Sequence, residues 1–250
     1  MADTYSKSRL IPPIILAIYV YGSIAALLGT ILPQLGEQFG LNEAGLGYLA
    51  LAQGLGLAVA SVAIGPILDN HGKKTGVVAG LSGITLSLAG LAFAGGYGTL
   101  LVSMLLLGLA GGMLVTSLNA LVSDVAERKR SSTLNLLNIF FGLGGLGTPF
   151  FAANIPALDS SFALCLFLAS ISGVTLLVHL ATVMPGPTGE RRFVFSEAGG
   201  LFNQPALYLL SVLMFLYIAC EVGMWNWLVK YLVSRGVGED FAHGGLVTMP

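Results

Sequence analysis

Hydrophobic residues in this chain are gathered into seven long runs that are separated by short polar connections. The runs are Leu10–Leu35, Gly45–Leu68, Thr75–Gly96, Thr99–Val122, Thr133–Ala153, Ser161–Val183 and Ala206–Val229. A helix needs about 20 mostly apolar residues to cross a bilayer, whereas a membrane-spanning strand needs about 10 residues of alternating pattern. The runs therefore predict seven membrane-spanning helices in an all-α membrane protein.

The overall composition supports this prediction. Charged residues make up 9% of the chain and the mean hydropathy is +0.86, whereas soluble domains carry about 25% charged residues. The net charge of −1 gives no reason to expect a nucleic acid as partner. The sequence contains no metal-ligand cluster, phosphate loop or dinucleotide fingerprint, so no cofactor is expected. Cys165 and Cys220 both lie inside apolar runs, which predicts two free, buried thiols.

Basic residues fall mainly on one side of the predicted membrane. Nine of the eleven Lys and Arg residues lie there, namely Lys7, Arg9, Lys73, Lys74, Arg128, Lys129, Arg130, Arg191 and Arg192. The opposite connections carry Glu37, Glu43 and Asp159, and the only bases there are Lys230 and Arg235. Because basic residues concentrate on the cytoplasmic side, the pattern predicts a protein of the plasma membrane, the bacterial inner membrane, with its N-terminus in the cytoplasm.

The longest polar connection, Met184–Pro205, separates six apolar runs from the seventh. A weak repeat crosses it, since Tyr21 and Leu35 have counterparts 196 positions later at Tyr217 and Tyr231. We therefore predict a six-helix half over residues 1–184, a cytoplasmic linker over 185–205 and the start of a second half over 206–250. A complete protein built from two such halves has about 400 residues, so a truncated chain lacking most of its C-terminal half is expected.

The connection between the second and third runs contains Gly65, Asp69, Gly72, Lys73 and Lys74. Gly72 permits a tight reversal there. This stretch resembles the G-x-L-a-D-x-x-G-r-k loop between helices 2 and 3 of the major facilitator superfamily of secondary transporters. The resemblance implies the major facilitator fold, with a small-molecule solute moved across the lipid bilayer by alternating access. It also implies a gating role for this motif, in which Asp69 caps the end of helix 2 and pairs with Arg130 or with the missing half.

Glu221 is the one acidic residue well inside an apolar run. A carboxylate there costs at least about 2.5–3.5 kcal/mol unless it is paired, hydrated or protonated, so Glu221 is a candidate for binding solute or carrying a proton. Tyr217, Glu221 and Trp225 follow one another at four-residue spacing and share a helix face, an arrangement that suits a sugar. The alternative is a structural carboxylate that hydrogen-bonds to a neighbouring helix.

The segment around Glu221 resembles helix 7 of the fucose/proton-symporter-like branch of the superfamily, with further similarity at Leu32–Gln34, Leu114–Asn119 and Leu134–Gly142. This resemblance implies a sugar or polyol as solute. The acidic residues of that branch in helices 1 and 4, and its Asn in helix 5, match Gly29, Val115 and Phe141 here. Glu221, a carboxylate of the missing half, or facilitated diffusion without a proton must replace that proton route.

Uncharged polar residues also occur within the runs. Asn119, Asn138 and Gln53 are candidates for lining a hydrophilic cavity, together with Asn135, Thr116 and Thr30. Each is equally consistent with a hydrogen bond between helices, worth roughly 0.6 kcal/mol. The fifth run contains Gly142, Gly144, Gly145, Gly147 and Pro149, a pattern that indicates close packing and a hinge.

Three other functions fit parts of the sequence. An efflux antiporter for drugs or metabolites belongs to the same superfamily. A rhomboid-like intramembrane serine protease is suggested by Gly80-Leu81-Ser82-Gly83 with His179 as the base. The seven helices also suggest a receptor or a rhodopsin, but those folds have an external N-terminus, against the charge pattern of this chain. A retinal protein also requires a lysine in the middle of helix 7, whereas Lys230 is near the end of the run. The sequence therefore favours a transporter over an enzyme.

Overall fold

The computed structural model describes residues 7–125, 130–184 and 204–236, and these residues form seven long helices and no strand. The helices are α1 (Lys7–Phe39), α2 (Glu43–His71), α3 (Lys73–Ala92), α4 (Tyr97–Val125), α5 (Arg130–Asn154), α6 (Ser161–Ala181) and α7 (Pro205–Ser234). A short 3-10 helix, Pro156–Leu158, precedes α6. Each of the seven helices is long and apolar enough to cross a membrane. The prediction of seven spanning helices is therefore confirmed.

The helices pack in a symmetric pattern of pairs. The main contacts join α2 with α4, α1 with α5, and α3 with both α4 and α6, and α1 also meets α6. If α1, α2 and α3 correspond to α4, α5 and α6, the α2–α4 contact corresponds to the α5–α1 contact. The α3–α4 contact likewise corresponds to the α6–α1 contact. This is the pairing that two three-helix repeats produce. The most deeply buried helix is α1, in which 72% of the most apolar window is buried.

Glycines allow the paired helices to approach closely. A Cβ at Gly108 of α4 would overlap the backbone carbonyl of Gln53 in α2, and one at Gly144 of α5 would overlap the carbonyl of Tyr19 in α1. Such contacts need residues without side chains, because helices in a membrane associate largely through close packing. The predicted packing role of the fifth-run glycines is thus confirmed at Gly144, whereas a Cβ at Gly142 would meet nothing within 4 Å.

Contacts near the helix ends show that the chain crosses back and forth. At one end of the bundle, Lys74 Nζ of α3 donates hydrogen bonds to the carbonyls of Leu180 and Thr182, both at 2.9 Å, where α6 ends. At the other end, Gln34 of α1 accepts from the backbone N–H of Ser161 at 2.6 Å, where α6 begins. We call these the inner and outer ends, after the sides that the charge pattern predicts.

The seventh helix contacts the bundle mainly through α1, and none of its most apolar window, Pro205–Met224, is buried. Cys220 is therefore exposed, although Cys165 is buried, so the prediction of two buried thiols was wrong for Cys220. Both thiols are free. The predicted linker at 185–205 lies outside the described residues except for its last two, and the assignment of α7 to a second half stays a prediction.

Candidate functional site

Glu221 lies near the middle of α7 and is half-buried. Its carboxylate accepts a hydrogen bond from the hydroxyl of Tyr217, one turn earlier on the same helix. It is also close enough to act electrostatically on the hydroxyl of Tyr21 in α1. Tyr217 and Glu221 therefore lie on one face of α7, as their four-residue spacing predicted, whereas their role in binding solute stays a prediction. Tyr21 was not predicted as a site residue.

The ring of Tyr21 extends this group towards two more helices. Its centroid lies 5.4 Å from that of Phe141 in α5, with the ring planes at 35°. On the α4 side, a Cβ added at Gly111 would lie 3.4 Å from the Tyr21 ring. Tyr21, Phe141, Tyr217 and Glu221 form what we call the central cluster. It joins α1, α5 and α7 and combines three aromatic rings with one carboxylate.

The other predicted solute ligands lie apart from the central cluster. Asn119 is exposed near the inner end of α4, Asn138 is exposed on α5, and Gln53 is half-buried in the outer part of α2. Among the described residues, no side-chain hydrogen bond joins any of these three amides to Glu221. Trp225 lies one turn beyond Glu221 in α7, and its side chain is outside the described part of the structure. The role of these four residues stays a prediction.

The predicted tight turn between α2 and α3 is present and consists of one residue. Gly72 has a φ of 84°, a conformation that favours glycine, and its N–H bonds to the carbonyl of Leu68 at 2.9 Å. The prediction that Asp69 caps α2 was wrong. Asp69 is an exposed residue within the last turn, and a carboxylate cannot donate a hydrogen bond to the free carbonyls at a helix C-terminus. Gly65, one turn earlier, is half-buried with open space at its Cβ position.

The two lysines that follow Gly72 link α3 to two other helices. Lys73 forms a salt bridge with Asp124 near the end of α4, and Asp69 acts electrostatically on Lys73. Lys74 bonds to the last carbonyls of α6, where a cation also complements the helix dipole. We call Asp69, Lys73, Lys74 and Asp124 the inner ionic cluster. Asp124 was missed in the sequence because nothing marks its proximity to a turn about 50 residues earlier.

The predicted pairing of Asp69 with Arg130 lies outside the description, since the side chain of Arg130 is not described. The backbone of Arg130 begins α5. Its assignment to the gating motif therefore stays a prediction.

Ser82 and His179 lie at different levels of the α3–α6 interface. The neighbouring Leu81 carbonyl accepts from the hydroxyl of Ser172 at 3.3 Å, so Ser82 lies near that level of α6. His179 is two turns further along α6, roughly 10 Å away at 1.5 Å per residue. Its Nδ1 lies 2.8 Å from the Thr175 carbonyl of its own helix. This arrangement provides no serine–histidine pair of the kind a protease needs.

Comparison with known proteins decides the family. The profile of the Major Facilitator Superfamily matches residues 14–250. The chain belongs to the Major Facilitator Superfamily. Membership of this family supports the prediction of an integral membrane protein.

Two curated relatives come from Pseudomonas putida. A gallate transporter is 32% identical over 128 residues, which cover 50% of this chain and 28% of that protein. The 4-hydroxybenzoate transporter PcaK is 32% identical over 148 residues, covering 57% of this chain and 32% of that protein. The matched segments thus span about a third of the length of these curated relatives.

Two solved structures share the fold. The crystal structure of a D-xylose–proton symporter superimposes with a TM-score of 0.75 at 12% identity, over 95% of this chain and 64% of that one. A nucleoside transporter, NupG, superimposes with a TM-score of 0.76 at 14% identity, over 95% of this chain and 62% of that one. At such identity the likeness shows the major facilitator fold alone, which confirms the predicted fold class.

Proposed function

We propose that this chain is part of a secondary transporter that moves a hydroxylated aromatic acid by alternating access. The observation that carries the proposal is the central cluster, in which the half-buried carboxylate of Glu221 bonds to Tyr217 and lies close to Tyr21, whose ring contacts Phe141. A phenolic hydroxyl is a good donor to a carboxylate, and a planar ring packs favourably against aromatic side chains. The two relatives named for gallate and 4-hydroxybenzoate support the same solute class.

A sugar or polyol is the second candidate. Aromatic rings also stack on the C–H faces of sugars, and Glu221 can accept hydrogen bonds from their hydroxyl groups. The resemblance of the Glu221 segment to the fucose/proton-symporter-like branch favours this solute, although the curated relatives do not. A neutral sugar needs no cation in the site, whereas an aromatic acid brings a carboxylate that must be neutralised. The two candidates therefore differ in their need for a nearby Lys or Arg.

We further propose that Glu221 carries the coupling proton. A lone carboxylate in the middle of a membrane helix is costly when charged, and protonation removes that cost. The hydroxyl of Tyr217 donates to the charged form and so holds the carboxylate in place when the proton leaves. This assigns the proton to the same side chain that accepts the solute hydroxyl, so that the two are linked through one group. Facilitated diffusion is the alternative, and uptake measured with and without a proton gradient distinguishes the two.

The inner ionic cluster is proposed as a gating element. Its salt bridge joins α3 of the first repeat to α4 of the second, and Lys74 joins α3 to α6. These contacts hold the inner end of the six-helix half as one unit. The exposed Asp69 remains available for a partner in a second half. Forming and breaking that contact would bias the equilibrium between inward-open and outward-open states.

The decisive experiment is uptake by the full-length protein in proteoliposomes. The panel contains 4-hydroxybenzoate, gallate, D-xylose and L-fucose, each measured with and without an inwardly directed proton gradient. The proposal expects saturable uptake of the aromatic acids, stimulated by the gradient, and no competition from the sugars. Uptake of sugars alone would replace the first candidate with the second. Solute uptake into proton-loaded vesicles, driven by protons moving out, would instead indicate an antiporter.

A further inference from the structure

Lys230, near the outer end of α7, is held between a carboxylate and an aromatic ring. Its Nζ lies 3.3 Å from the carboxylate of Glu43, the first residue of α2. The same Nζ lies 5.7 Å from the ring centroid of Trp227, one turn earlier on α7. The pair connects the outer ends of α2 and α7. Neither residue belongs to the central cluster or to the inner ionic cluster.

The two partners of this ion pair differ in how firmly they are held. The side chain of Lys230 is 29% exposed, whereas that of Glu43 is 87% exposed. Trp227 packs against the buried core of the six-helix half, so the ring below the ammonium group is fixed. Water competes strongly for an ion pair whose carboxylate is this exposed, so the pair is weak. The cation and the ring therefore stay in place while another anion can readily replace Glu43.

We propose that Lys230 and Trp227 form an outer binding site for an aromatic carboxylate, in which the solute displaces the Glu43 carboxylate. The solute class rests on the proposed function. The carboxylate of such a solute makes a charge-assisted contact with Nζ, and its ring packs against the indole. Among the described residues the central cluster contains no cation, and Lys230 provides one at the outer end of α7. Because Glu43 connects α2 to α7, its displacement also releases a contact between those helices at the outer end.

Lys230 is one of few cations at an outer end that is otherwise rich in acidic residues. The outer connections predicted from the sequence carry Glu37, Glu43 and Asp159, which repel an approaching anion. Among the described residues, the other cation at this end is Arg235, whose guanidinium lies 5.4 Å from the ring centroid of Tyr231. Both basic residues of this end therefore lie against aromatic rings on α7. At the outer end of the described structure, an aromatic anion therefore finds complementary charge and a stacking surface together on this end of α7.

The alternative is that Glu43 and Lys230 form only a latch between helices, and the two ideas predict opposite patterns. A latch is lost equally when either partner is neutralised. In the binding site, Glu43→Gln removes a competitor of the solute, whereas Lys230→Gln removes its ligand. The test measures the half-saturation concentration for radiolabelled 4-hydroxybenzoate uptake by the full-length protein in proteoliposomes. Uptake of the neutral analogue 4-hydroxybenzamide is measured in parallel.

The proposal expects Lys230→Gln to raise the half-saturation concentration roughly tenfold, the effect of losing one charged contact. Glu43→Gln should lower it, and neither change should affect the neutral amide. Lys230→Arg should stay near wild type, which separates loss of charge from misfolding. Trp227→Leu should raise the value for both compounds, because it removes the stacking surface. The matched control is Glu37→Gln, which removes an exposed acid near the same end without touching Lys230.

One result would overturn the binding site and leave a latch between helices. In that result, Glu43→Gln and Lys230→Gln shift the half-saturation concentration in the same direction, and the charge exchange Glu43→Lys with Lys230→Glu restores wild-type behaviour. Failure of the wild-type protein to take up any aromatic acid would instead overturn the proposed function. In that case the outer site is decided by calorimetric titration with benzoate. Binding of benzoate to wild type and not to Lys230→Gln would support the outer site. Equal binding to both proteins, or no binding to either, would refute it.

Discussion

Lys73 at the start of α3 forms a salt bridge with Asp124 near the end of α4, and so ties the first three-helix repeat to the second. The side chains of the two residues are only 17% and 33% exposed. One residue, Gly72, separates α2 from α3, so the position of Lys73 is closely linked to the end of α2. A movement of either helix end therefore acts directly on this ion pair.

We predict that Asp124→Asn destabilises the protein by about 1–3 kcal/mol, because it leaves the largely buried ammonium group of Lys73 without its anionic partner. Thermal unfolding of the purified protein in detergent measures the effect. The control is Asp159→Asn, an exposed acid at the outer end whose side chain takes part in no described ion pair. The charge exchange Lys73→Asp with Asp124→Lys should recover part of the loss. Equal unfolding temperatures for Asp124→Asn and the control would contradict a structural role for the pair.

Asp69→Asn is expected to slow transport much more than it weakens solute binding. Asp69 is exposed at the inner end of α2, far from the central cluster, and its removal should act on the equilibrium between open states. Uptake rate in proteoliposomes and solute affinity by calorimetry are measured on the same preparation. Loss of binding in a folded variant would make Asp69 a ligand rather than a gating residue.

The sequence was sufficient for the number of helices and their order, because apolar runs of this length have one stable solution in a bilayer. The tight turn at Gly72 was equally predictable, since a positive φ favours glycine. The partners that meet across the helix bundle were not predictable from the sequence. Asp124 and Tyr21 carry no local signal that they meet Lys73 and Glu221, because helix packing decides which faces come together.

The capping role assigned to Asp69 shows a different limit. The motif placed this carboxylate at the end of the apolar run, but the helix continues to His71 and Gly72 closes it. Helix ends commonly extend beyond the apolar segment, because polar residues near the membrane surface continue the backbone hydrogen bonding. The predicted solute ligands Asn119, Asn138 and Gln53 were chosen by residue type alone, which does not tell on which side of a helix an amide lies.

Gly144→Ala is predicted to destabilise the protein by about 1–3 kcal/mol, the usual cost of adding a methyl group to a tightly packed site. The new Cβ would overlap the Tyr19 carbonyl and lie 2.9 Å from the Ser23 nitrogen. Gly142→Ala, two residues earlier on the same helix, is the matched control because nothing lies within 4 Å of its Cβ position. Thermal unfolding in detergent compares them. A smaller effect at Gly144 than at Gly142 would contradict the close approach of α1 and α5.

The predicted orientation can be tested by labelling. A single cysteine introduced between Gly186 and Gly189, in a background with Cys165→Ala and Cys220→Ala, should react with a membrane-impermeant maleimide only after the cells are opened. A cysteine in place of Asn42, between α1 and α2, should react in intact cells. The basis is the concentration of Lys and Arg on one side of the membrane. The reverse labelling pattern would place the N-terminus outside.

Glu221→Gln separates proton coupling from solute binding. The neutral amide imitates the protonated acid, so accumulation driven by a proton gradient should disappear while exchange of labelled for unlabelled solute continues. The amide also still accepts a hydrogen bond from the hydroxyl of Tyr217, which keeps the central cluster assembled. Tyr217→Phe is the companion variant. It removes that donor and should weaken solute binding without abolishing accumulation.

Two results would change the assignment of Glu221. Loss of both exchange and accumulation in Glu221→Gln would show that the charged carboxylate is required for solute binding. Glu221 would then not act only as a proton carrier. Wild-type accumulation with unchanged pH dependence would leave Glu221 as a structural residue, because a coupling group cannot be neutralised without effect on coupling. The coupling proton would then have to be carried by another group. The accumulation assay at several external pH values distinguishes these outcomes, since only a proton-coupled carrier follows the size of the gradient.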